Sequence, residues 1–344
     1  MTINSTDFFT IFVARNNNYD TFPKFMEQST NSRTDTVIYC APVQGLTETA
    51  WRHYHRDIYG DGITSYFTPF LRVERGEVRY RDARDLKSDL NVGLPLVPQI
   101  IFRDLKEFKA LCDTVVDAGY SSIDINMGCP FPPQVHHGRG AGTIANVALI
   151  ESLNDEMNGA YKDVKFSLKM RLGAEAPDEW QASAEAINAL PLTHVTLHPR
   201  TARQQYEGDL HMDQFARFLE SSRHPVIYNG DLTEPVHIDD IITRYPSLGG
   251  VMIGRGLFSR PSLVAEWRSG CEWDEVRRME ALRRLHSSVY DYYCDTLSGD
   301  VQVLGKLKPF WEYMAPQLDR KAYKGIKKAT TLRKYDDAVG MIFR

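Results

Sequence analysis

Cys129 is the residue in this chain whose setting most demands a chemical explanation. It follows Gly128 and precedes Pro130 at the end of the apolar run SIDINMG (122–128), and Pro132 and Pro133 come soon after. A thiol held on so stiff a turn can act as a nucleophile or as a proton donor. His136 and His137 are near enough in sequence to serve a nucleophile as bases, or they are exposed loop residues. Cys40, Cys112, Cys271 and Cys294 have no comparable setting and read as small packing thiols.

The other residues able to do chemistry fall on similar runs. KFSLKMRL (165–172) carries Lys169 and Arg171, HVTLHPR (194–200) carries His198 and Arg200, and LPLVPQII (94–101) carries Gln99. A lysine inside a strand seldom goes without a partner. Lys169 either offsets negative charge on a bound cofactor or an enolate, or it pairs with a barrel carboxylate such as Asp124. Taken singly, His198 and Gln99 could be satisfied core residues; their weight comes from lying at strand ends together. Two further runs end in the glycine turns Asn229-Gly230-Asp231 and Gly254-Arg255-Gly256. Such turns let backbone approach a phosphate closely, and Arg255 adds a charge-assisted contact.

Eight runs of this kind must position those residues: 36–43, 65–73, 94–101, 122–128, 165–172, 194–200, 224–230 and 250–256. Helix-length segments separate them, which is the pattern of parallel βα units covered on both sides. Eight units predict an α/β fold, a closed (β/α)₈ barrel over residues 36–268, with its chemistry at the strand ends. A doubly wound open sheet is the rival, but no G-x-G-x-x-G follows an early strand. From 269 to 344 the periodicity is helical and predicts a small all-helical domain, while residues 1–35 form an extension with no firm pattern.

Apolar residues make up 42% of the chain and no apolar run reaches a membrane span, so no membrane partner is expected. The N-terminus has no basic flank and apolar core of the signal-peptide kind. The five cysteines form no C-x-x-C pair and no metal-ligand spacing, so no metal is expected and free thiols suit the cytoplasm. Net charge is −4, but from residue 301 onward ten Lys or Arg face four acids. That surplus of positive charge predicts either an acidic partner for the tail or a solvated helical face.

These residues resemble the tRNA-dihydrouridine synthase family. Asn126 to Pro130 match its Asn-x-Gly-Cys-Pro strand end, and APVQG (41–45), KMRLG (169–173), HPRTARQQYEG (198–208), NGD (229–231) and VMIGRG (251–256) follow in order. LGKLKPFWEYM (304–314) is similar to part of the family's helical domain, so the resemblance covers about residues 36 to 320. It implies a flavoenzyme that carries FMN, takes electrons from NADPH and reduces the 5,6 double bond of selected uridines in tRNA; a monomer is expected. It implies that Gln99, Lys169 and His198 hold the flavin ring, with Ala41, Pro42 and Val43 beside it, and that Asn229, Gly230, Asp231, Gly254 and Arg255 hold the phosphate end. Asn126 would touch the uracil, Arg200 would position the RNA, and Lys306 and Lys308 would meet the tRNA backbone. Cys129 would be the catalytic proton donor to carbon 5, and so must stay protonated until it acts.

The chain departs from that pattern in places. Cys129 to Val135 is one residue longer than usual, with Pro132-Pro133 in between, and Pro199 stands where many members have Gly. Arg139-Gly140-Ala141-Gly142 is only roughly like the family's glycine-rich continuation. Two other functions suit some of the same residues. One is a flavin barrel that reduces a free pyrimidine or another small enone. The other is a flavin- or RNA-binding protein without catalysis.

Overall fold

A computed structural model of the chain describes residues 33–344. The expected extension at 1–35 therefore lies almost wholly outside the described residues. The strands are β1 (Ile38–Cys40), β2 (Ser65–Phe67), β3 (Val73–Glu74), β4 (Glu77–Val78), β5 (Leu96–Val97), β6 (Gln99–Ile100), β7 (Ser122–Met127), β8 (Lys165–Gly173), β9 (Leu192–Thr201), β10 (Val226–Tyr228) and β11 (Gly250–Ile253). All but β3 and β4 join one parallel sheet in the order β5-β2-β1-β11-β10-β9-β8-β7-β6. β5 and β6 at its two edges are neighbours in sequence, separated only by Pro98. The predicted third strand is thus a single stave broken by a proline, and the sheet wraps into a nearly closed barrel of eight staves.

Proline also sets the largest departure from the expected strand lengths. The run 65–73 was expected to be one strand, but the ladder breaks after Phe67, two residues before Pro69, and only Leu71 pairs again, with Ile100. A proline cannot donate to the ladder and is poorly placed in a central strand. The chain then forms the antiparallel hairpin β3–β4, with Arg75 at φ 54° in its turn.

Registers place the polar candidates side by side. Gln99 pairs with Asp124 and Asn126 with Lys169, while Arg171 pairs with His198. Alternation along β8 sends Lys169 and Arg171 to one side and the buried Leu168, Met170 and Leu172 to other environments.

Beyond Gly270 the described chain is helical, beginning with the long helix Glu275–Thr296, which packs along helix Thr49–Tyr59 of the barrel layer. Its buried face meets Trp311 and Tyr335. The Trp311 indole N–H donates to Tyr335 Oη at 2.8 Å, and His286 Nε2 lies 2.8 Å from the same oxygen. Burial holds His286 down at about 3, so it packs as a neutral ring. Residues of the barrel and of these helices belong to one continuous apolar core. Among the described residues no helix is long and apolar enough to cross a membrane.

Candidate active site

The turn that carries Cys129 is built from beneath by a chain of buried polar groups. Ser167 Oγ and Gln99 Nε2 donate to the two oxygens of Asp124, each at 2.6 Å. Asn126 Nδ2 donates to Gln99 Oε1 at 2.7 Å. Asn126 Oδ1 then accepts the backbone N–H of Gly128 at 3.1 Å and of Cys129 at 2.8 Å. Every member is buried apart from Cys129, and each link fixes the next. Asp124 is pushed up to about 6 by burial, against the pull of its Ser167 and Gln99 hydrogen bonds and the nearby Lys169. Replacing Asn126 with Ala leaves the Gly128 and Cys129 amides without acceptors. Such a loss costs about 1–3 kcal/mol, so urea denaturation of Asn126→Ala is expected to show a stability lower by that amount.

From above, Gly140 closes the turn. At φ +59° it lies so near that a Cβ placed on it would come within 2.8 Å of Cys129 Cβ and of its carbonyl oxygen. Ala141 N–H donates to that carbonyl at 3.2 Å. The two prolines occupy the first turn of the short helix Pro132–His136, where a missing N–H costs nothing. They set the loop's course and place the buried Gln134 behind it.

The thiol faces a cavity of about 650 Å³ at the carboxyl ends of the strands. Ala41, Pro42 and Val43 line it on one side, and Asn126, Cys129, Lys169 and His198 line its floor and wall. Asn229, Gly230, Asp231, Gly254 and Arg255 line the far side. Three expected site residues lie elsewhere, and a fourth sits just behind the wall. Gln99 is fully buried beneath Asn126 and does not reach the cavity. Arg200 is also buried: its guanidinium donates to Asp231 at 3.0 and 2.6 Å and to the Gly208 carbonyl, with Nη1 3.3 Å from His198 Nε2. Lys306 is paired with Glu48. Lys308 donates to the carbonyls of Lys327 at 3.2 Å and Ala329 at 2.6 Å. Their charge in the sequence gave no sign of these internal partners.

Several cavity residues had no assigned role in the sequence. Arg171 is buried, with Nε donating to Gly128 carbonyl at 3.1 Å and Nη1 to Thr201 carbonyl at 2.8 Å. Tyr206, half exposed, stands between two guanidiniums: Arg171 lies 5.2 Å and Arg255 4.6 Å from its ring centre. Phe70, His237 and Tyr313 complete the rim. The signal for Tyr206 was its place in QQYEG after His198, and Tyr313 is in the WEYM segment already singled out.

Electrostatics separate the roles. Burial pushes the Cys129 thiol up, although Lys169 and Arg171 pull against it, so the thiol is protonated at neutral pH. Lys169 makes no hydrogen bond or ion pair among the described residues, and burial together with Arg171 lowers it to about 8. His198 is held well below its ordinary value by burial and by the surrounding cations, so it is neutral. Burial works to raise Asp231, but its bonds to Arg200 and Arg255 win and keep it ionised. The described residues include no group of three His, Cys, Asp or Glu placed to hold a metal ion.

A protonated thiol beside fixed cations at the mouth of a parallel barrel is the equipment of a barrel enzyme that protonates a substrate on which negative charge develops. The family model described as "Dihydrouridine synthase (Dus)" matches residues 39–338, and the chain belongs to that family, which makes it an oxidoreductase acting on a CH–CH bond. Curated relatives agree in kind. The "tRNA-dihydrouridine(16) synthase" of Ralstonia nicotianae is 27% identical over 306 residues, covering 81% of this chain and 89% of that one. The "Probable tRNA-dihydrouridine synthase 2" of Bacillus subtilis is 26% identical, with coverage of 74% and 78%. The "tRNA-dihydrouridine(20a/20b) synthase [NAD(P)+]" of Saccharomyces cerevisiae is 28% identical, with coverage of 73% and 67%.

Proposed function

We propose that this chain is a tRNA-dihydrouridine synthase that reduces the 5,6 double bond of selected uridines in tRNA, with FMN in the barrel mouth and NADPH as the electron source. The observation that carries the reading is the protonated Cys129 thiol, pinned by Asn126 at the wall of a cavity that also holds an unpaired Lys169. All three relatives have names that specify tRNA, and one includes NAD(P)+. Their names differ in the position modified, so no single position is inherited.

The residues present fit FMN. The cavity is of the size that takes a cofactor, within the roughly 300–1,000 Å³ usual for such sites. Gly230 and Gly254 leave backbone open on its far side, and Arg255 adds a cation there beside Asp231. Lys169 and the neutral His198 would hold the ring, together with Ala41, Pro42 and Val43. Bound FMN supplies the hydride for uracil carbon 6. Cys129 delivers the proton to carbon 5, its turn fixed by Asn126, whose second amide hydrogen is free to meet the base. Lys169 offsets negative charge at the ring. Gln99 acts through Asn126, and Arg200 acts by holding Asp231 and His198 in place.

Residues 36–268 then form the catalytic domain and 269–344 the tRNA-binding domain of a cytoplasmic, metal-free monomer. Within the latter, Lys306 and Lys308 have internal partners, so contact with the tRNA backbone passes to helix Arg320–Lys328. Lys321, Lys324, Lys327 and Lys328 are exposed on it and form no ion pair among the described residues. The test is to isolate the protein with its flavin and measure NADPH-dependent dihydrouridine in unmodified tRNA. Colourless protein that takes up no FMN, or turnover on free uracil with none on tRNA, would end this reading.

The charge state of Lys169 predicts the pH dependence. A lysine lowered to about 8 is protonated below that pH and loses its charge above it. kcat/KM for tRNA is therefore expected to be flat through pH 7 and to fall on an alkaline limb at or above about 8, because a bound anion can only raise the value. Lys169→Arg should remove this limb, and an unchanged limb in that variant would assign it to another group.

A further inference from the structure

A second cavity, of about 470 Å³, opens beside the first on the same rim of the barrel. Its walls come from the β3–β4 hairpin, from the start of helix Leu105–Asp117 and from the Cys129 loop. The two cavities share chain segments: Phe70 lines the first and Arg72 the second, and Cys129 and Pro130 line the first while Gln134 lines the second. Two residues of chain reach at most roughly 7 Å, so Phe70 and Arg72 fix the cavities as near neighbours.

Its lining contains unspent binding groups of two kinds. Glu74, Asp104 and Glu107 each have arginine partners, the firmest being Arg139 on Glu107 at 2.5 Å. Arg75 and Lys106 are exposed and make no side-chain hydrogen bond or ion pair among the described residues. Gln134 is only 8% exposed, yet its Oε1 has no hydrogen-bond partner among them. A buried acceptor without a donor, lining the same cavity as two cations unpaired among the described residues, calls for a ligand carrying both an N–H group and negative charge. A nucleotide has both.

We propose that this cavity is a second nucleotide subsite, which takes a residue flanking the target uridine, with its phosphate on Arg75 and Lys106 and a base N–H on Gln134 Oε1. The inference rests on the tRNA reading above and names where the neighbouring part of that substrate is held. It also gives the Pro132-Pro133 insertion a task. The prolines start the short helix that carries Gln134 into the second cavity, so the same loop sets the proton donor on one side and reads the flanking base on the other.

The experiment uses the flavin-loaded protein and unmodified tRNA. Affinity is measured between 50 and 200 mM salt, and dihydrouridine formation is followed in parallel. Arg75→Ala/Lys106→Ala is expected to weaken binding about tenfold and to reduce the slope of log K against log salt by about 0.7–0.9, as the loss of one phosphate contact requires. The loss should appear in KM for tRNA. Gln134→Met, close in length, is expected to keep the wild-type slope and to lose discrimination among tRNAs substituted beside the target. Wild-type affinity and slope in the double variant would overturn the subsite while leaving the functional reading intact, and would leave the basic rim to a protein partner. If the wild-type protein makes no dihydrouridine, the functional reading fails first and the subsite falls with it.

Discussion

Cys129→Ala is expected to lower dihydrouridine formation by roughly 10²–10⁴-fold, the usual contribution of a positioned acid, while FMN and tRNA binding stay within about twofold. The substitution removes one sulfur and little else. The backbone N–H of residue 129 still reaches Asn126 Oδ1, and the Cβ still meets Gly140. The turn therefore survives, and the missing group is the proposed proton donor. Its chemistry is set by competition between burial, which raises the thiol, and the Phe131 backbone hydrogen bond with the cations Arg171 and Lys169, which lower it. Burial wins. A nucleophilic cysteine needs the opposite balance, so this geometry favours proton delivery over attack. Two measurements separate the roles. Single-turnover formation of dihydrouridine should collapse in Cys129→Ala and be partly retained in Cys129→Ser. Alkylation of Cys129 at pH 7 should be slow, because little thiolate is present. Rapid alkylation, or an Ala variant with near wild-type turnover, would remove Cys129 from the proposed step.

The strand ends were legible in the sequence because a buried parallel strand leaves a plain signature: an apolar run stopped by glycine or a polar residue. Asn126, Gly128, Cys129, Pro130, Lys169, His198 and the two glycine turns all line the cavity for that reason. The support under the site was not legible. Gln99 read equally well as a flavin contact or a structural amide, and only the register Gln99–Asp124 puts it one layer below, holding Asn126. Lys306 and Lys308 looked available because a charge count cannot know that Glu48 and two helix-end carbonyls are waiting for them. Tyr206 comes from a turn and Gln134 from a five-residue helix within a loop, whose positions depend on contacts made elsewhere in the fold. Sequence spacing therefore located the chemistry, whereas tertiary contacts decided which polar groups remain free to perform it.

The second large effect concerns Glu266, whose role is to join layers and not to react. Its side chain is fully buried and accepts from Arg260 at 3.1 and 2.6 Å, from Arg278 at 3.1 and 2.7 Å, from Ser262 Oγ at 2.5 Å and from Trp273 N–H at 2.9 Å. Arg260 and Ser262 belong to the end of the barrel, while Trp273 and Arg278 lead into helix Glu275–Thr296, so one carboxylate ties that helix to the catalytic layer. Burial pushes Glu266 up, but its four sets of donors outweigh burial and hold it at about 2. Glu266→Gln leaves two guanidiniums short of a counter-charge. Breaking a buried pair costs about 3–5 kcal/mol, and the lower end is expected because Arg278 is partly exposed and Glu234 and Glu272 still reach Arg260. The sign with pH follows from the lowered value. The contribution is complete above the ordinary carboxyl value of 4.5 and is lost as pH falls towards about 2. Urea denaturation should thus show the variant about 3 kcal/mol less stable at pH 7, a range typical of a broken buried pair, with the gap closing in acid. A gap that persists unchanged at pH 2 would mean that packing, and not the carboxylate's charge, holds the long helix against the barrel.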